Sequence, residues 1–171
     1  MKSSYMVRAR QFAQEIYPYI SDCKSVEDFE WAVEVFNRFN HRAVKVANGL
    51  TRVALITSDY VLKIDYGTRQ KDFGGCADEY RAYQRVFKDG YADLFARISA
   101  VMVNEKVYYI MPKIDRIGEE YNGDIEALDV VDADANDYLW EHFRDLHCNN
   151  FGWKNGNPVI VDYAYFIGDN D

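Results

Sequence analysis

The 171 residues carry 28 acidic side chains against 20 basic ones, a net charge of −8, with 49% hydrophobic and 28% charged residues. That balance argues against nucleic-acid partners, whose affinity rests on neutralising phosphates, and no run approaches the ~20 apolar residues that span a bilayer. The three cysteines, Cys23, Cys76 and Cys148, are widely spaced with no CxxC pair, which predicts idle thiols in a reducing cytoplasm and no disulfide framework.

A chain of this length is expected to fold as one domain, residues 1–171, with a substantial core. Its opening residues, Met1 to Arg8, lack the apolar core of a secretory signal. Phe12, Ile16 and Tyr19 at helical spacing predict a first helix over Tyr5 to Ile20, ended or bent by Pro18. Ser25 followed by Asp28 gives an approximate capping box for a second helix, with Phe29, Val33, Phe36 and Phe39 on one face. Three short runs follow, Ala43 to Ala47, Val53 to Thr57 and Tyr60 to Asp65, separated by Asn48-Gly49 and Ser58-Asp59. They predict an antiparallel meander. A helix is expected from Ala77 to Lys88, with Tyr80, Tyr83, Val86 and Phe87 as its apolar set. Two more strands are read over Phe95 to Val103 and Val107 to Met111, joined by Asn104-Glu105-Lys106. Acid is concentrated between Glu119 and Asp137, where a solvated face is expected. Beyond it come a helix over Ala133 to Phe143 and a short buried strand, Pro158 to Val161. Helices and strands that cluster without alternating make the fold class α+β.

The strongest chemical signal is Arg144-Asp145-Leu146-His147-Cys148-Asn149-Asn150, followed by Gly156-Asn157-Pro158-Val159-Ile160-Val161-Asp162. An aspartate stands five residues before an asparagine, and a second aspartate ends an apolar strand twelve residues later. Phosphoryl transfer uses these residue types. One carboxylate orients and deprotonates the attacking hydroxyl, while an amide oxygen and another carboxylate hold magnesium against the nucleotide phosphates. Upstream, Val61-Leu62-Lys63-Ile64 is an apolar strand carrying one lysine, and Glu79 and Asp78 lie on the next helix. Taken singly, each residue has a bland reading: a strand lysine turned to solvent, a capping pair in a turn, an aspartate ending a strand. Their order and spacing together favour the chemical one. His41, His142 and His147 show no zinc spacing.

This stretch resembles the catalytic loop and metal-binding segment of the protein-kinase-like superfamily. The Asp-Leu-His-x-x-Asn spelling is close to aminoglycoside phosphotransferases, and the Asn-Gly-Asn-Pro turn before the strand resembles minimal serine/threonine kinases of podophages. The resemblance implies a catalytic base at Asp145, metal ligands at Asn150 and Asp162, and a phosphate-gripping Lys63 partnered by Glu79, preferred to Asp78 for its longer reach. It also implies a phosphate-covering turn at Gly49 and Thr51, and an adenine-binding hinge from Met111 to Ile114. The implied fold has a five-stranded antiparallel small-lobe sheet over 43–114, a helical extension over 1–42 and a strongly truncated large lobe over 115–171.

Several features depart from that pattern. The covering turn has one glycine, Phe143 stands before Arg144 in place of a hydrogen-bonding residue, Asp162 is followed by Tyr163-Ala164, and nine residues remain after it. The resemblance therefore implies an ATP- and Mg-dependent serine/threonine protein kinase of minimal, phage-encoded kind, acting on host proteins in the cytoplasm. The alternatives are a pseudokinase serving as a nucleotide-binding or protein-interaction module, favoured by the degenerate turn, and a small-molecule phosphotransferase, favoured by Asp-Leu-His.

Overall fold

The computed structural model describes residues 3–49, 51–66, 75–116, 131–144, 146, 148–164 and 166–167. The chain is α+β and divides into two compact units, one built from residues 1–76 and 98–113, the other from 77–97 and 114–171.

In the first unit, α1 (Ser3–Ile20) and α2 (Val26–Asn40) precede β1 (Lys45–Asn48), β2 (Arg52–Ile56) and β3 (Tyr60–Asp65), and β4 (Ser99–Val103) and β5 (Lys106–Pro112) complete it. The five strands form one antiparallel sheet in the order β1-β2-β3-β5-β4. The expected meander is therefore present, and the later hairpin inserts β5 beside β3.

Local chemistry sets these boundaries. Helix α1 runs two residues past Pro18 before ending. The capping box of α2 is complete: the Asp28 amide donates to the Ser25 hydroxyl, and the Ser25 amide donates back to the Asp28 carboxylate. The Lys24 amide, and after it the Ser25 amide, donate to the Asp28 carboxylate and hold its carboxyl below the ordinary range. His41 closes α2 in the left-handed conformation with φ 51°. The Asn37 side chain then bridges to Val44, donating to its carbonyl at 2.8 Å and accepting from its amide at 3.0 Å. At the β2–β3 turn, Thr57 accepts from the Tyr60 amide through its hydroxyl and donates to the Tyr60 carbonyl.

The core of this unit lies between the two helices and one face of the sheet. Phe12, Ile16, Phe29, Val33 and Phe36 meet Val53, Leu55, Leu62, Ile64, Tyr108 and Ile110. Two expectations fail at the edges of helical faces. Phe39 is 72% exposed, because the buried stripe of α2 centres on Phe29, Ala32, Val33 and Phe36 and turns away before the last residues. Phe87 is likewise exposed, the buried positions of its helix being Cys76, Glu79, Ala82 and Val86.

The second unit contains α3 from Ala77 (the helix spans Cys76–Asp89), a 3-10 turn at Ala92–Leu94, β6 (Asp115–Arg116), α4 (Ala133–His142), a 3-10 turn at Cys148–Asn150, β7 (Phe151–Lys154) and β8 (Asn157–Ile160). The last three strands form a small antiparallel sheet in the order β6-β7-β8. Strands β6 and β7 are additions to the sequence reading. The run Phe95 to Val103 is corrected: only Ser99–Val103 is strand, and Phe95 instead makes a parallel bridge to Ile160. An aromatic cluster packs this unit, with the Phe95 ring 5.0 Å from Phe143 and 5.1 Å from Tyr163, and Phe143 5.1 Å from Phe166. Phe143 is thus a packing residue. Tyr138 donates to the Asp89 carboxylate at 2.8 Å and stacks on Tyr91 at 4.1 Å. Burial, reinforced by that carboxylate, pushes the Tyr138 phenol upward.

Candidate functional site

Lys63 stands at the centre of the five-stranded sheet, opposite Ala54 on β2 and Tyr109 on β5. Its neighbours Leu62 and Ile64 belong to the helix-packed core, so strand alternation turns Lys63 to the other face of the sheet. It is nonetheless buried, at 7% exposure. A lysine this buried is uncommon, since desolvating an ammonium is costly without compensation. The solvent-facing reading of Lys63 is thereby excluded.

The other first-unit candidates lie on and beside the sheet. Gly49 opens the β1–β2 turn, where its amide donates to the Arg52 carbonyl at 2.9 Å and its carbonyl accepts from the Tyr66 hydroxyl at 3.2 Å. An added Cβ at Gly49 would meet nothing closer than 3.7 Å, and its φ is not in the left-handed region. Glycine is therefore not required there by backbone geometry. Thr51 is buried and its carbonyl accepts from the Tyr66 amide at 3.2 Å. Met111 is buried on β5 opposite Val61.

In the second unit, Glu79 is completely buried on α3, whereas the adjacent Asp78 pairs with Arg81 at the surface. Of the two carboxylates, Glu79 is the one enclosed. Its Oε1 accepts from the Tyr163 amide at 3.4 Å. Ile114 is half-buried next to β6, with its Cγ2 2.5 Å from where a Cβ on Gly152 would stand.

Asn150 and Asp162 lie at the open end of the same hairpin. Asn150 is buried at the end of its 3-10 turn, directly before β7, and Asp162 is half-buried just past β8. Strands β7 and β8 form a hairpin in which Phe151 pairs with Ile160. The register carries the pairing outward, so that the Val161 amide donates to the Asn150 carbonyl at 2.7 Å. Two residues twelve positions apart in sequence thus flank the open end of one hairpin. Asp145 and His147 lie outside the described residues. Beside Asp145, Arg144 is exposed and Leu146 is buried.

An amide oxygen and a carboxylate are hard donors of the kind that suits magnesium, which takes one or two protein carboxylates and completes its shell with phosphates and water. Among the described residues no group of three or more His, Cys, Asp and Glu gathers as a metal site. No described helix is long and apolar enough to cross a membrane. The residue that sequence reasoning missed is Tyr163. It is 1% exposed and its hydroxyl donates to the Ala96 carbonyl at 2.6 Å. A contact between positions so distant leaves no mark in local pattern.

No protein-family model and no curated relative matches the sequence. Among solved structures, the chain is similar to the Legionella pneumophila Lpg2603 kinase bound to IP6, with 15% identity and a TM-score of 0.42. The similarity covers 74% of this chain and 61% of that one, so the chain spans less than two thirds of that protein's length.

Proposed function

We propose that this chain is a protein-kinase-like phosphotransferase that uses ATP and magnesium and transfers the terminal phosphoryl group to a hydroxyl on a protein, with a host-cell protein as the acceptor. The observation that carries this reading is the hairpin that bears Asn150 and Asp162, in which the Val161 amide donates to the Asn150 main-chain carbonyl at 2.7 Å and so sets the backbones of the two residues at one open end. Buried Lys63 and buried Glu79 support it, because each is an ionisable side chain held out of solvent at a sequence position the motif order assigns.

In this reading Asn150 and Asp162 hold the cation, which when bound neutralises charge on the phosphate oxygens. Lys63 binds phosphate oxygens and orients the nucleotide. Asp145, assigned by its spacing to Asn150, takes the proton of the attacking hydroxyl. The new bond joins that oxygen to phosphorus, and the bond to the departing ADP oxygen breaks. The chain's own contribution is positioning and charge complementarity, with no covalent intermediate.

One observation favours a second reading, a pseudokinase that serves as an interaction module. The Gly49 amide is engaged by Arg52 within its own turn, which removes a donor from the set that would cover phosphates. Incubating the purified chain with radiolabelled ATP and magnesium, with and without host lysate, separates the two. Label on protein, lost in Asp145→Ala while nucleotide binding persists, is the expected result. Nucleotide binding without any transfer supports the pseudokinase. Transfer that survives Asp145→Ala refutes the assignment of the base.

A further inference from the structure

The chain on either side of Asp162 is fastened to one dipeptide, Phe95-Ala96. Before the aspartate, the Ala96 amide donates to the Ile160 carbonyl at 2.8 Å, and Phe95 bridges Ile160. After it, the Tyr163 hydroxyl donates to the Ala96 carbonyl at 2.6 Å. The amide and the carbonyl of a single residue therefore grip the segment at both ends. The Tyr163 ring lies edge-on to Phe95, with centroids 5.1 Å apart and planes at 80°.

A phenol buried this deeply needs a hydrogen-bond partner, since leaving it unpaired costs its full desolvation. Here the partner is a main-chain carbonyl that no rotamer change can withdraw. Glu79 accepts from the Tyr163 amide as well, so the residue after Asp162 is held through both its backbone and its side chain. With Ile160 and Tyr163 fixed, little beyond the side-chain torsions of Asp162 remains to be ordered when a cation arrives.

We propose that the Tyr163 hydroxyl is a positioning group that presets the Asp162 carboxylate for its cation by closing residues 160–163 onto Ala96. The inference rests on the phosphotransferase reading of Asp162 and gives that site a specific support. Partners that orient metal ligands without touching the metal change its affinity by about 10–100-fold. Acting through the backbone of the next residue, the hydroxyl is expected near the lower end of that range.

Tyr163→Phe isolates the hydroxyl, because the ring and its packing on Phe95 are kept. The measurement is Mn²⁺ binding by electron paramagnetic resonance with a non-hydrolysable ATP analogue, alongside a thermal melt and nucleotide binding in the presence of a chelator. The expected result is about tenfold weaker Mn²⁺ binding, with the melt still cooperative and metal-free nucleotide affinity unchanged. A hydroxyl with a merely structural role lowers the melting temperature and leaves Mn²⁺ affinity as it was, which overturns the inference alone. Wild-type protein that binds no Mn²⁺ with nucleotide overturns the phosphotransferase reading, and this inference with it. Should the variant not fold, amide exchange in the wild type decides: the Tyr163 amide must be protected before any metal is added. Protection that arises only on adding Mn²⁺ overturns presetting.

Discussion

The Val161 amide donates to the carbonyl of Asn150 at 2.7 Å. This bond ties the residue before Asp162 to the end of the 3-10 turn that carries Asn150, so the backbones of the two candidate ligands are linked. Groups that share one ion are energetically coupled. Asp162→Asn keeps the side-chain shape and removes the charge, and it is expected to raise the half-saturating Mg²⁺ concentration by roughly tenfold or more, since even outer-shell partners are worth about 10–100-fold. Asn150→Ala should act in the same direction. The double variant should be weakened by less than the product of the two effects. Strict multiplicativity in a Mn²⁺ titration would show that the residues do not hold a common cation.

Much of the first unit was legible because its signals are local. Ser25 and Asp28 specify the start of α2 by hydrogen bonds that reach three residues, and the turn around Ser58-Asp59 fixes the start of β3. The second unit was harder to read. Strand β7 carries Gly152 in place of an apolar or β-branched residue, which weakens its strand signal. Strand β6 has two residues and no period at all. Phe95 looked like the first residue of a strand because the apolar run continues to Val103, yet its backbone pairs with Ile160, far along the chain. At the candidate site, side-chain type and reach singled out Lys63 and favoured Glu79 over Asp78, and the structure shows both Lys63 and Glu79 buried. The Tyr163–Ala96 bond did not, because it depends on tertiary approach over 67 residues.

Gly152 has a steric reason to be glycine. A Cβ there would stand 2.5 Å from the Ile114 Cγ2 and 2.7 Å from the Asp115 carbonyl oxygen. The Ile114 methyl can turn aside, but the carbonyl belongs to the strand paired with β7 and cannot. Gly152→Ala should therefore cost about 1–3 kcal/mol, the usual range for overpacking, and should loosen β6 from β7. Urea unfolding measures the first, and amide exchange in residues 151–154 the second. Adding Ile114→Ala should recover only part of the loss. Full recovery would place the clash on the side chain alone.

Phe36 and Phe39 are close neighbours on α2 with opposite surroundings. Phe36 is fully buried, edge-on to Phe12 at 5.8 Å and to Tyr19 at 5.3 Å, while most of Phe39 is in solvent. Phe36→Ala is expected to destabilise the protein by about 3–5 kcal/mol. Phe39→Ser should change stability by no more than about 0.5 kcal/mol. Comparable losses from the two in chemical denaturation would mean that Phe39 is covered in solution by something that binds the folded state.

Tyr108 supplies a test at the alkaline end. It is buried in the core of the five-stranded unit, and that burial, with a smaller contribution from nearby Tyr17, pushes its phenol up to about 12. An unfolded tyrosine ionises near 10. The folded value is the higher one, so the stabilisation is fully present below about pH 10 and is lost as pH rises through about 12. Over that window the decline attributable to Tyr108 should be on the order of 1–2 kcal/mol. Tyr60, also raised by burial, adds to the total alkaline loss, so the informative quantity is the difference between wild type and Tyr108→Phe. That variant keeps the ring, cannot ionise, and should lose less stability than the wild type between pH 9 and pH 12 when unfolding is followed by circular dichroism. Parallel curves for the two proteins would mean that the Tyr108 hydroxyl titrates freely, and that the core does not close over it.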